Sequence, residues 1–172
     1  VYGMHNRPGL PLGQFSIRNG PSMASTDRIE IAIEGKGGHA ARPHNAIDTL
    51  LVGTQLVGQL QSIVSRSLDP LESAVISICE FHTGNAHNVI PQKARLAGTV
   101  RTLKAEIRDL IEKRMHEVVD GVARMTGARI DLSYQRETPV LVNHDAQVGI
   151  AARVAAEIVG EQNVQVGVPP VM

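Results

Sequence analysis

Tryptophan is absent, and the 172 residues include only two Tyr, two Phe and a single Cys. With 2% aromatics the chain has no platform on which to stack bases, so recognition of single-stranded nucleic acid is excluded. Excess charge is missing too. Seventeen Lys and Arg balance 17 Asp and Glu, whereas nucleic-acid and anionic-membrane partners select a surplus of bases. No apolar run approaches the roughly 18 residues of a membrane helix. Cys79, being alone, allows neither an intrachain disulfide nor a Cys-rich zinc site. It suits a reducing compartment, so the cytoplasm is the expected location. What remains is globular composition, 42% hydrophobic and 20% charged, around an aliphatic core. The stretch opens on Val1 and closes on Val171-Met172 directly after a Pro pair, like a piece of something longer.

Periodicity divides it. Residues 1–26 are turn-rich, with Pro8, Gly9, Pro11 and Gly13, and Asn19-Gly20-Pro21 marks 19–26 as a linker. Ile29, Ile31 and Ile33 then alternate with Arg28, Glu30 and Glu34 as a half-buried strand. A helix follows, with Asn45 as its N-cap, Asp48 in the first turn, and a stripe through Ile47, Leu50, Leu51, Thr54, Val57, Gln61 and Val64. Strands are predicted over 73–81 and 93–101. A second helix runs from Ile107 to Met125 with Gly127 at its stop, and Ile130, Leu132 and Tyr134 form a fourth strand. The order is βαββαβ. It predicts an α+β, ferredoxin-like two-layer sandwich: a four-stranded antiparallel sheet with two helices on one face. Beyond Pro139, an Ala-rich helix (148–158) and a short buried strand (164–168) cannot bury themselves. The expected organisation is a complete domain over 27–137, inserted between incomplete pieces at 1–26 and 138–172 of another domain. Cys79, alternating within a strand, reads as a small core residue.

Three segments could carry chemistry. Gly35-Lys36-Gly37-Gly38-His39-Ala40-Ala41-Arg42-Pro43-His44 joins a strand to a helix, where glycines admit a ligand and a helix start favours an anion. The same residues also fit a plain connection with solvated bases. Asn88, ending a polar loop, and Arg101, on a strand, could clamp a carboxylate, although a turn-capping Asn and a solvent-facing Arg fit as well. His5 precedes a Pro-rich loop, and nothing near it supplies the three or four ligands of a zinc site.

The motifs occur in a telling order: Gly3-x-His5-x-x-Pro8-x-x-Pro11-x-Gly13, the Gly35–His44 segment, Gly84-x-Ala86-x-Asn88-Val89-Ile90-Pro91, and Gly98-Thr99-Val100-Arg101-Thr102. Together with Ser65-Arg66 and Asp69-Pro70 they resemble the metal-dependent amidohydrolases of the aminoacylase and hippurate hydrolase type, peptidase family M-20. The resemblance implies an α/β zinc-peptidase-like catalytic domain interrupted by a βαββαβ lid that forms a homodimer. It implies that His5 is a metal ligand. His39 becomes the catalytic lid histidine that reaches the partner's site and stabilises the oxyanion, and Asn88 and Arg101 bind substrate, Arg101 at its carboxylate. Lys36 and His44 are weaker matches. The implied reaction is hydrolysis of a small N-acyl amino acid or peptide, using two divalent metals (zinc or manganese).

The departures bear on activity. The family's other metal ligands and its Glu base match nothing in these residues, so this stretch alone is expected to bind no dinuclear centre and to be inactive. Arg7 stands where related sequences often carry Trp, which leaves the acyl preference open. A stand-alone ferredoxin-like binding or dimerisation module is the alternative. An RNA-binding βαββαβ domain fails on its sheet aromatics and its charge.

Overall fold

The computed structural model describes all residues, Val1–Met172. In chain order it has β1 (Phe15–Ile17), β2 (Gly20–Met23), β3 (Thr26–Glu34), β4 (Gly38–His39), α1 (Thr49–Ser62), β5 (Ala74–Thr83), β6 (Val89–Ile90) and β7 (Lys93–Thr102). There follow α2 (Ala105–Thr126), β8 (Arg129–Thr138), β9 (Leu141–Asn143), α3 (Asp145–Val159) and β10 (Val164–Val166). The chain forms two compact units. One takes Val1–Met23 with Leu141–Val171, the other Ala24–Val140.

The larger unit is the α+β sandwich that the βαββαβ order predicts. Its sheet runs β5-β7-β3-β8, every neighbouring pair antiparallel. Alternation decides which side of the sheet is wet. Ile29, Ile31 and Ile33 of β3 and Leu96 and Val100 of β7 are buried, against Val52, Leu56, Leu60 and Ile63 near α1 and Ile111, Met115, Val119 and Val122 of α2. The other face carries ion pairs, Arg95 with Glu30 and Glu80 and Arg129 with Glu34 and Asp131. α2 ends where Gly127 takes φ 74°, donating its N–H to the Ala123 carbonyl.

Local expectations are corrected in five places. Asp48, not Asn45, caps α1, its carboxylate accepting from the N–H groups of Leu50 and Leu51 at 2.9 and 3.3 Å; Asn45 ends a short helical turn over Pro43–Asn45. The buried stripe of α1 is Thr49, Val52, Gly53, Leu56 and Leu60, while Leu50 and Leu51 face outward. A helix without one charged residue has no polar face to fix its rotation, so periodicity alone selects the wrong stripe. Cys79 is exposed rather than core. Ile78 pairs with Gly98 and Glu80 with Ala97, which leaves Cys79 as the extra residue of a β-bulge. The facing strand must come close there: a Cβ on Gly98 would sit 2.0 Å from the Ser77 carbonyl.

The fourth and fifth lie in the smaller unit. Residues 20–23, read as linker, form β2 and pair antiparallel with β9, Gly20 opposite Asn143 and Met23 opposite Leu141. β1 and β10 pair in parallel, Phe15 opposite Val164. Val166 of β10 is exposed instead of buried. α3 buries only Val148 and Ala155.

Candidate functional site

β4 and β6 are each two residues long and pair only with each other, Gly38 opposite Ile90 and His39 opposite Val89. The Ala40 N–H donates to the Asn88 carbonyl at 3.1 Å. His39 and Asn88, 49 positions apart, therefore stand side by side at the tip of two loops. The loops are anchored at the root. Gly35 N–H donates to the Gln92 carbonyl at 2.9 Å, and Lys36 and Ile47 exchange backbone hydrogen bonds of 3.1 and 2.9 Å. The Thr49 hydroxyl donates to the Pro91 carbonyl at 3.0 Å. A Cβ on Gly35 would lie 2.3 Å from the Ile47 carbonyl oxygen, so only glycine allows this approach. Fully buried Thr49 escapes sequence reasoning, since nothing in the pattern tells a helix-start threonine that ties a loop from one that faces water.

The ring of His39 is oriented. Its Nδ1 accepts the Ala41 N–H at 3.1 Å, so the neutral imidazole carries its proton on Nε2, which has no protein acceptor. The side chain is exposed, as is that of Asn88.

Arg101 lies elsewhere. It pairs with Val75 of β5, near the end of β7 opposite the loops. Lys93 begins β7 just beyond β6, and eight residues at about 3.4 Å each put Arg101 roughly 27 Å further along the strand. Half-buried, it forms no ion pair. Arg95, on the same face, is committed: its hydrogen bond and charge hold the Glu80 carboxyl below the usual carboxylate range, and Glu80 and Glu30 in turn raise Arg95. Arg101 is thus a guanidinium with no carboxylate partner in the structure.

His5 belongs to the smaller unit, in the irregular segment before β1. It is exposed, and its Nδ1–H donates to the Asn6 carbonyl at 2.5 Å. That leaves Nε2 unprotonated in the neutral ring, the state and backbone support usual for a metal-bound histidine. One donor does not make a centre. No three His, Cys, Asp or Glu side chains converge in the structure, so these residues by themselves do not fit a dinuclear metal site.

Comparison with known proteins gives this geometry a setting. Residues 24–125 match the model of the peptidase dimerisation domain of M20. The chain belongs to that family. The match falls within the larger unit, which therefore carries the dimerisation domain, and it includes His39, Asn88 and Arg101. N-acetylcysteine deacetylase of Bacillus subtilis strain 168 is 40% identical over 158 residues, covering 92% of this chain and 42% of the relative. Hippurate hydrolase of Campylobacter jejuni is 38% identical over 172 residues, covering all of this chain and 45% of the relative. Among solved structures, a dinuclear metal-binding peptidase of the M20 family from Bacillus subtilis superposes with a TM-score of 0.73 at 32% identity, covering 99% of this chain and 41% of that one. The chain spans less than half the length of each of these relatives. No helix in it is long and apolar enough to cross a membrane.

Proposed function

We propose that these 172 residues are part of an amidohydrolase that cleaves the amide of small N-acyl amino acids, and that they supply its dimerising lid with two flanking strips of its metal-carrying domain. The observation that carries the reading is the state of His39. With Nδ1 occupied by the Ala41 N–H, the ring offers Nε2–H as a fixed donor beside Asn88. When water attacks an amide, the carbonyl oxygen becomes an anion, and a donor already aimed at it stabilises the transition state by about 3–4 kcal/mol. Arg101 holds the substrate carboxylate through its two-pronged guanidinium. Asn88 adds an amide donor and acceptor next to His39.

One copy of the chain does not bring these groups onto one small molecule, given the length of β7 between them. Two copies can, with the His39 tip of one meeting the Arg101 end of the other. The homodimer reading has its own support. The outward face of α1 presents Leu50, Leu51, Thr54, Gln55, Gly58 and Gln59 without a charge, and the nearby β5 is an edge strand with unpaired backbone groups. Two divalent metals, zinc or manganese, belong to the whole enzyme, with His5 as one donor and the others outside this stretch. An exposed lone thiol at Cys79 fits the reducing cytoplasm.

The test is His39→Ala in the full-length polypeptide. Turnover of an N-acyl amino acid falls by roughly two to three orders of magnitude while bound metal is unchanged. Loss of metal in step with activity, or unchanged turnover, overturns the role.

A further inference from the structure

Charge balances over the whole sequence but not around the tip. Segments 35–47 and 81–95 hold four of the 17 Lys and Arg and none of the 17 Asp and Glu. Arg95 is neutralised by Glu30 and Glu80. Lys36 and Arg42, exposed on either side of His39, are not. Of the acids that flank their loop, Glu34 pairs with Arg129 at 3.2 Å, and Asp48 keeps its charge but turns it to the start of α1, accepting the N–H groups of Leu50 and Leu51. The loop that carries both cations is fixed by its own backbone, with Arg42 N–H donating to the His39 carbonyl at 2.8 Å and Lys36 bonded both ways to Ile47.

We propose that Lys36 and Arg42 form a carboxylate-recruiting surface around His39, favouring anionic N-acyl compounds over neutral ones. The substrate class rests on the amidohydrolase reading above. The physical division of labour is one of range. Arg101 acts at contact, through hydrogen bonds. Two unpaired cations at an exposed tip attract an anion over about 8–10 Å at ordinary salt, so they act on capture. Placed at the oxyanion donor, they draw the acid toward the group that must meet its amide.

The experiment titrates this 172-residue chain with hippurate and, separately, with hippuramide, its uncharged amide, following backbone amide resonances. Hippurate shifts resonances at 36–44 and 86–89, and hippuramide does not. The shifts weaken as salt is raised, and the Lys36→Ala/Arg42→Ala double variant, altered only at exposed side chains, binds hippurate about tenfold more weakly. Equal shifts from the neutral amide, shifts confined to Arg101, no shifts at all, or an unaffected double variant each overturn the proposal. The two readings fail separately. Normal turnover in full-length His39→Ala removes the oxyanion role, while the hippurate shifts at the tip stand or fall by themselves.

Discussion

Arg108 and Asp27, 81 positions apart, form a closed pair inside the dimerisation domain: Nε of the guanidinium donates to both carboxylate oxygens, at 2.9 and 3.0 Å, and Nη2 donates to Oδ1. Asp27 is fully buried and Arg108 nearly so. The Tyr134 hydroxyl donates to the remaining face of the carboxylate at 2.6 Å. Three elements, β3, α2 and β8, are thereby locked at one charge.

Removing one partner leaves the other charged and dry. Asp27→Ala therefore destabilises the domain by about 3–5 kcal/mol, read from urea unfolding. Tyr134→Phe, which deletes one hydrogen bond to a charged acceptor, costs about 1.5–3 kcal/mol. A loss below about 1 kcal/mol for Asp27→Ala means the pair is not closed as described.

Alkaline pH probes the same cluster. Burial first, then the hydrogen bond and charge of Asp27, raise the Tyr134 pKa above its ordinary 10.0. A raised folded value favours the protonated phenol in the fold. Its contribution is full below the ordinary value and is lost as pH climbs toward the folded one. The urea midpoint should fall between about pH 9 and pH 11, and fall less in Tyr134→Phe. Parallel curves for the two proteins contradict this.

Gly35→Ala tests the root of the tip. Its Cβ would meet the Ile47 carbonyl oxygen, so the loop must shift at a cost of about 1–3 kcal/mol. The His39 ring resonances should move with it, although the substitution is four residues away. A thermal melt and a histidine NMR spectrum, both unchanged, would show the approach is looser than it looks.

Leu51→Lys places a charge on the uncharged outer face of α1. The side chain is 54% exposed, so the monomer fold is expected to persist. Sedimentation should show dissociation of the proposed dimer, whereas the same substitution at Gln135, on the polar face of β8, leaves it intact. A Leu51→Lys chain that still sediments as a dimer places the interface elsewhere.

Arg101→Lys keeps the charge and loses the fork. In the full-length enzyme KM for an N-acyl amino acid should rise about tenfold or more with kcat changed far less. A fall confined to kcat would assign Arg101 to the reacting carbonyl instead of the carboxylate.

Much of this architecture is legible in the sequence, because strict alternation such as Ile29-Glu30-Ile31-Ala32-Ile33 leaves a strand only one way to face. Asp27 continues the inward parity of that strand, and Arg108 falls beside Ile111 on the buried side of α2. The pair is therefore readable in position but not in partnership, which only the packing of α2 on the sheet creates. Where the pattern carries no contrast it misleads. α1 lacks charge all round, so its buried side depends on neighbours such as Phe81, whose ring fits against Gly53. The bulge at Cys79 is invisible for the same reason: one extra residue shifts parity without changing composition. Proximity of His39 and Asn88 depends on a ladder only two residues long, too short for any periodicity to announce.

β2 and β9 run antiparallel with Met23 opposite Leu141. Strip out everything between those two residues, and what is left is the open end of a β-hairpin that a turn of two to four residues would close. The dimerisation domain is suited to such a graft, since its first and last strands are themselves neighbours, Thr26 opposite Thr138. Its entry and exit form a doorway only one strand spacing wide. A host hairpin could acquire or shed the whole domain by a single exchange at its turn, without rethreading any other strand.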